Sequence, residues 1–467
     1  MAVVMVSLVA GSLIAGQNSF TNGTDVQAFL NENFAHTNAG MVIGLIDEDG
    51  KKVFSAGTLD NGTDQKLNGD TIFEIGSVTK TFTSLLALEM EQRGEIKLND
   101  PVAKYLPVSV KLPEYRGKQI TLLNLAAQDS GLPFNADGLS GKDWLDRYNN
   151  YTAENMYAFL AGYTLTNEPG TYFQYSNLGM SLLGHVQELK TGTNYESLIV
   201  NRLCRPLQMH STRAKLPPDL KDRFAVGHDE AGKPAKYYDL KVMAGAGALL
   251  STANDLLRFV AANIGLTQSS LTPLMKETHI NRHKDPPHQD SRWMGNTAMP
   301  WIDENVYNPP GSHLLGHGGG TPGFTAFIGF DTKKRRGVVV LSNQRQIRSL
   351  PVGWRILQAA GLSGKDARTM QPTRELVGTG IAYEMDQTGT LRIKDVYPNT
   401  SASEAGLTRG LVVQKVNGVA TKGKSMEECI SIGKQRADLK ASMELVDLAL
   451  RTTNTVEMVR RKFLIPG

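Results

Sequence analysis

Apolar residues in this chain recur with two different periods, and the switches between them mark its elements. Asp25–Thr37, "DVQAFLNENFAHT", repeats apolar positions at helical spacing and predicts an amphipathic helix. "GMVIGLIDEDGKKVFSAGTLD" carries two apolar runs about a Glu-Asp-Gly turn and predicts a β-hairpin. In "EIGSVTKTFTSLLALEMEQRG", Val78, Phe82, Leu85, Leu86 and Met90 fall three or four apart, predicting an amphipathic helix that stops at Gly94. From Asp100 to Leu256 the pattern is mostly helical with Gly/Pro-rich connections. Strand patterns return at "LLGHGGGTPGFTAFIGFD" and "RRGVVVLSN", the latter reading as a buried strand, and "SLPVGWRILQAAG" predicts a helix that closes this unit. "LSGKDARTMQPTRE" is polar and irregular and reads as a linker. Beyond it a new alternation of short strands and one helix begins. The division expected is a signal-like segment at 1–17, a first domain at 18–362, a linker at 363–374 and a second domain at 375–467.

Composition narrows the function classes. At 467 residues the chain is long enough for two or three domains with a sizeable core. Apolar residues at 40% and charged ones at 21% are ordinary for a globular protein. The net charge of +4 is small, and no basic block or basic–aromatic interleaving marks a nucleic-acid partner. Cys204 and Cys429 fall in different expected domains, so they form no disulfide framework, and neither has zinc-ligand spacing. "MAVVMVSLVAGSLIAGQ" has the length of a signal-peptide core but lacks a positive start. Two readings stay open: export to a bacterial periplasm or the extracellular space, or an apolar segment packed on a cytoplasmic fold. Gln17 stands where a lipoprotein would carry its lipidated cysteine.

Three short motifs carry candidate chemistry. Ser77 and Lys80 are three apart and share one helix face. A cation at a helix N-terminus is disfavoured by the dipole, which together with burial pulls a lysine towards its neutral, proton-accepting form. The plain alternative is a Ser77 N-cap beside a solvated Lys80. In "EPGTYFQYSNLGMSLLG", Tyr175 and Asn177 project to one side if the segment is extended, placing a proton relay beside a hydrogen-bonding amide. The alternative is an ordinary turn before a helix. In "LGHGGGTPGF", Gly318, Gly319 and Gly320 follow His317, and so bare a backbone suits an oxyanion hole, whose donors are each worth roughly 2.7–4 kcal/mol of barrier. A Gly-rich loop with an exposed histidine is the alternative there. No Lys-Ser/Thr follows as a phosphate loop would need, which disfavours that reading. "THINRHKDPPHQD" gathers His279, His283 and His288 beside Asp285 and Asp290. Pro286-Pro287 break any helix between them, so a polar loop is expected and no metal.

In the order Ser-x-x-Lys, Tyr-x-Asn, His-Gly-Gly, the chain resembles the penicillin-recognising serine hydrolases, near class C β-lactamases, D-Ala-D-Ala carboxypeptidases and related esterases. "GEIKLNDPVAKYLP", "ITLLNLAAQDSGLP", "AGAGALLSTANDLLRF" and "GHGGGTPGFTAFIGFDTKKRRGVVVLSN" resemble the same family, from about Asp25 to Gly361. The resemblance implies an α/β (α+β) fold of the β-lactamase/transpeptidase type. An antiparallel sheet flanked by helices would adjoin a helical subdomain, with the site between them. It implies Ser77 as the acylated nucleophile, Lys80 as its base, Tyr175 as the relay to the leaving group, and Asn177 as the group orienting Lys80 and substrate. His317, Gly318 and Gly319 would stand in place of the Lys-Thr-Gly strand. The backbone N–H groups of Ser77 and Gly320 would form the oxyanion hole. No cofactor is implied. The chain departs from the family at Gln128-Asp129, where histidine and threonine usually precede "SGL". It departs again at His317, which replaces a lysine and is mostly neutral near pH 7. That tilts the expectation from an efficient β-lactamase to an esterase- or peptidase-like hydrolase of small ester, amide or peptide-like substrates.

The tail resembles a PDZ domain. "VGTGIAYE" is similar to its carboxylate-binding loop and second strand, "LRIKDVYPNTSASEAGLTRGLVVQKVNG" to its central strands, "SMEECISIGKQ" to its groove helix and "TVEMVRRKFLI" to its last strand. Leu411 stands where the family usually has aspartate. The resemblance implies a small β domain seating a peptide C-terminus near Gly378 and Gly380 by β-strand addition. A packing domain that caps the hydrolase is the other reading. A catalytically idle scaffold that binds peptides through this tail is the contrasting function.

Overall fold

The computed structural model describes residues 23–35, 37–63, 65–137, 139, 148–237, 239–280, 282, 295–304 and 314–359. Beyond these it describes 375–378, 381–385, 390–396, 407, 411–422, 424, 440–447, 452–459 and 461–464. Two compact units divide at Thr369/Met370, inside the stretch read as a linker.

The first unit is built on a seven-stranded antiparallel sheet. After helix α1 (Gly23–Phe34), strands β1 (Gly40–Asp47) and β2 (Gly50–Gly57) form the expected hairpin, with Asp47 paired to Gly50 across the Glu48-Asp49 turn. Next come β3 (Ile72–Glu74), α2 (Thr79–Gln92), α3 (Asn177–Thr191), the short α4 (Ala244–Gly247), β4 (Leu250–Thr252) and α5 (Ala253–Asn263). The sheet is completed by β5 (Gly295–Thr297), β6 (Ile302–Glu304), β7 (Leu314–Gly320), β8 (Thr325–Asp331) and β9 (Arg336–Ser342), and α6 (Ser349–Gln358) follows. Its strand order is β2-β1-β9-β8-β7-β6-β5, with β3 paired to β4 apart from it. The large central sheet follows from period-2 patterning. In β8, Ala326, Ile328 and Phe330 join the main core, while Phe327 turns to the other face and meets Trp354 of α6 at 5.1 Å.

The helix predicted from Glu74 to Gly94 is corrected in two ways. Glu74 ends β3, Gly76–Val78 form a 3₁₀ turn, and α2 begins at Thr79. Nor is α2 amphipathic, since every residue from Thr79 to Met90 is buried. A helix surrounded by other elements has no face to leave polar. On one side Phe82 stacks on Phe259 of α5 at 4.2 Å, and on another Gln187 Nε2 of α3 donates to the Thr83 carbonyl at 2.9 Å. Truncating such a buried Phe to Ala costs about 3–5 kcal/mol. Among the described residues no helix is long and apolar enough to cross a membrane.

The second unit carries β10 (Glu375–Gly378), β11 (Ile381–Met385), β12 (Leu391–Val396), β13 (Val412–Val416), β14 (Lys440–Asp447), β15 (Thr452–Val459) and β16 (Arg461–Leu464). They form an antiparallel sheet ordered β11-β12-β13-β14-β15, with Val419–Ala420 turned back on β13, and a separate pair β10-β16. Gly378 lies in that pair opposite Arg461. Gly380 and the expected groove helix at 425–435 lie outside the described residues, as do 1–22, Cys429, His283, Asp285, His288 and Asp290.

Candidate active site

Ser77 and Lys80 meet at the start of α2. Lys80 Nζ donates to Ser77 Oγ at 3.0 Å and to the Ala246 carbonyl of α4 at 2.6 Å. Neither side chain plays the plain role considered for it. Ser77 caps nothing, for the N-cap of α2 is Val78, which makes no side-chain cap bond. Lys80 is wholly buried rather than solvated. Burial alone holds its ammonium well below the usual lysine range. The ammonium also lies 4.8 Å from the Tyr175 ring centroid. Thr83, one turn along α2, donates to the Gly245 carbonyl at 2.7 Å and so fixes the turn that presents Ala246.

Tyr175 is buried and its hydroxyl hydrogen-bonds Ser77. Burial pushes its phenol up, the Ser77 hydroxyl only partly offsetting this. Burial thus favours the neutral form of both side chains, lowering the lysine and raising the tyrosine. Tyr175 precedes α3, whose N-cap is Ser176, and Asn177 is already the first helical residue. The extended geometry expected for Tyr-x-Asn is therefore corrected. Asn177 donates from Nδ2 to Asn135 Oδ1 at 3.1 Å, and Asn135 also accepts from Tyr148 at 2.7 Å. The Lys80 partner expected in Asn177 is instead the Ala246 carbonyl.

The glycine strand abuts Ser77. A Cβ on Gly319 would stand 2.0 Å from the Ile75 carbonyl and 3.2 Å from Ser77 N. One on Gly76, where φ is +49°, would stand 2.7 Å from Gly320 N. Only glycine permits this approach. Thr321 N donates to Phe324 O, so Gly320 and Thr325 form a non-hydrogen-bonded pair in the β7–β8 register. The Gly320 N–H thus points away from β8, beside that of Ser77.

His317 is buried at the same edge, its ring 6.3 Å from that of Tyr175. Nδ1–H donates to the Gly318 carbonyl at 2.7 Å, leaving Nε2 as a lone pair with no partner among the described residues. Burial, helped by the Lys80 charge, pushes its pKa down to about 3. Gly318 faces the other way, towards Leu350 of α6.

Other residues at the site escaped sequence reasoning. Gln128, with φ at +62°, accepts from Ser176 N through its side chain and from Gln174 N at 2.7 Å, bracing the segment that carries Tyr175. Its departure from the family pattern was the available signal. Phe134 stacks on Tyr175 at 5.7 Å and is half exposed. Arg345 places Nη1 2.7 Å from where a Gly320 Cβ would be. Of the histidine cluster, His279 is spent on structure: it bonds Asn263 at 2.9 Å and packs on Phe330. No group of three or more metal-binding side chains occurs among the described residues.

Known proteins resemble this chain over much of its length. The family described as Beta-lactamase matches residues 27–361. A β-lactamase of Pseudomonas fluorescens is 27% identical over 332 residues, covering 66% of this chain and 88% of that one. The D-alanyl-D-alanine-carboxypeptidase/endopeptidase AmpH of Escherichia coli (strain K12) is 31% identical over 221 residues, 47% of this chain and 56% of its own. The crystal structure of D-alanine carboxypeptidase AmpC from Burkholderia cenocepacia matches with a TM-score of 0.58 and 26% identity, over 71% of this chain and 96% of that one. With a family match across most of its length, the chain belongs to the β-lactamase family and is a serine hydrolase.

Proposed function

We propose that this hydrolase cleaves small esters and peptide-like amides through an acyl-enzyme on Ser77, and that β-lactams are poor substrates. One observation carries the reading: a fully buried, neutral-leaning Lys80 within 3.0 Å of Ser77 Oγ. Ser77 Oγ attacks the substrate carbonyl as Lys80 takes its proton, and the oxyanion rests on the N–H groups of Ser77 and Gly320. Tyr175 gives its proton to the departing alcohol or amine and is reprotonated by the Lys80 ammonium. Water then repeats the cycle on the acyl-enzyme, returning free Ser77 and the carboxylic acid. Asn177 acts at one remove, anchoring the start of α3 beside Tyr175.

The preference follows from charge. A buried His317 with a pKa of about 3 offers no cation to a substrate carboxylate at neutral pH. Arg345 lies at the Gly320 end of β7, so a carboxylate on the leaving group, as in an N-acyl-D-amino acid, is served from there. Sequence resemblance supports two further proposals: export on the apolar first residues, and peptide binding by the second unit near Gly378 and Gly380.

A fluorophosphonate probe tests the reading. Intact mass spectrometry should show one adduct on the wild type and none on Ser77→Ala. An equal adduct on both, or none on either, would overturn it. Rates on p-nitrophenyl acetate, a D-amino-acid amide and nitrocefin, compared side by side, test the preference.

A further inference from the structure

The reaction leaves unused a buried acid beside its centre. Glu74 ends β3 three residues before Ser77 and is 4% exposed. The next residue, Ile75, donates to the Leu249 carbonyl at 3.0 Å and presses its own carbonyl against Gly319. Thr321, directly after Gly320, is also buried, and its hydroxyl is the one side chain that favours the charged form of Glu74. Glu74 Oε1 and Thr321 Oγ1 have no close hydrogen-bond partner among the described residues. The carboxyl therefore sits where the segment delivering Ser77 meets the segment delivering Gly320. A buried carboxyl oxygen with no close partner calls for an explanation other than stability.

Its surroundings are poor in compensating charge. Across the β3–β4 pair Glu74 faces Leu250. Arg213, bridged to Leu250, turns its guanidinium to the Thr212 carbonyl. Tyr237, still 41% exposed, interacts with Glu74: desolvation and then the Glu74 charge push its phenol up to about 12, with Asp239 and Glu196 acting in the same sense.

We propose that Glu74 is a positioning residue that must remain uncharged for acylation, and that charging it switches the site off. This rests on the acyl-enzyme reading above. A carboxylate lodged here would set a negative charge, in a low-dielectric interior, against the oxyanion that forms at Ser77 and Gly320. It would also draw Thr321 towards itself and shift the strand end that presents the Gly320 N–H. Burial raises the carboxyl to about 8, so the change falls within reach of experiment.

The experiment measures fluorophosphonate acylation of the full chain from pH 6 to 9.5, with wild type, Glu74→Gln and Thr321→Val. Wild-type acylation should fall above about pH 8, approaching tenfold per pH unit. Glu74→Gln, which keeps the shape and cannot ionise, should retain wild-type acylation within about tenfold at pH 7 and lose the alkaline fall. Thr321→Val removes the group that favours the anion and should move the fall to higher pH. A wild-type rate that holds to pH 9.5, or a folded Glu74→Gln that falls with the wild type or is inactive at pH 7, overturns the proposal. If Glu74→Gln does not fold, the wild-type profile and the direction of the Thr321→Val shift decide. Thermal melts separate this inference from the parent reading. Folded Glu74 holds a proton that the unfolded chain releases near pH 4.5, so the Tm advantage of Glu74→Gln over wild type should widen from pH 5 to pH 8. A widening gap with no adduct on any variant would sink the acyl-enzyme reading and this role with it, while showing that Glu74 ionises as described. A constant gap with normal acylation would sink the Glu74 proposal alone.

Discussion

At the scale of single residues, the site is a set of groups whose charges are suppressed by burial. Lys80 and Tyr175 act through one proton, so Lys80→Ala and Tyr175→Phe should each lower kcat/KM by at least about 10²-fold. The double variant should be little worse than either single one. Near-normal turnover in Lys80→Ala would return that lysine to a structural role. His317 gives a second, independent test in stability. Its folded pKa near 3 lies below the usual 6.5, so the unfolded chain binds a proton first as pH falls. The stability it contributes is complete above pH 6.5 and is lost between 6.5 and 3, approaching about 1.4 kcal/mol per pH unit. His317→Gln should flatten that part of a Tm–pH curve, leaving the share due to His279, whose pKa burial lowers to about 4. An unchanged curve would mean that His317 is not held neutral. That Ser77, Lys80 and Tyr175 would meet was suggested by their types and spacing, and the structure brings them together. The partners Ala246 and Gln128 were not, since a backbone carbonyl has no residue signature and a glutamine becomes a brace only once the fold brings Ser176 to it.

At the scale of elements, the chemistry depends on how closely β7 approaches the β3–α2 turn. The Gly-rich run signalled a close approach, but the sequence could not say which glycine bears it. Gly319 meets the Ile75 carbonyl, which is backbone and cannot yield, whereas Gly318 meets the Leu350 side chain, whose Cδ1 lies 2.5 Å from its ideal Cβ. Gly319→Ala must therefore prise the strand from the turn and misplace the Gly320 N–H. A loss of about 10²-fold in kcat is expected, the scale of one oxyanion donor. Gly318→Ala only presses on a side chain that can rotate, so its kcat should stay within about tenfold, with a stability cost of roughly 1–3 kcal/mol. Equal kcat losses in the two variants would refute this assignment. Helix α2 shows where pattern reading fails. Its apolar positions suggested one buried face, but Thr79, Thr81, Thr83 and Ser84 are buried too, several by hydrogen bonds to carbonyls such as Val78, Gly245 and Ala126. Hydroxyls that bond buried carbonyls, near in sequence or far, look solvent-facing in a sequence and need no solvent.

At the scale of the whole molecule, the chain divides at Thr369/Met370, and the polar stretch at 363–374, with few apolar residues to bury, is proposed as the linker. The main core runs from Val42 to Leu341, all within the first unit. The second unit has its own buried set, Leu391, Ile393, Leu407, Val412, Val413 and Val416. Two separate cores imply two separable folding units. Every residue assigned a part in acylation also precedes the linker. A chain ending near Asp366 should therefore fold, melt cooperatively and cleave a p-nitrophenyl ester within about tenfold of the full-length rate. If the second unit gathers substrate, its removal should lower kcat/KM only on peptide-like or macromolecular substrates. β-strand addition draws its affinity from an extended backbone, which a p-nitrophenyl ester lacks. The paired measurement, small ester against long peptide on the two chain lengths, separates the outcomes. A selective loss on peptides supports recruitment, and equal rates on both leave the second unit without a part in catalysis. An insoluble truncation, or one inactive on the small ester, would show that the second unit completes the hydrolase's own fold.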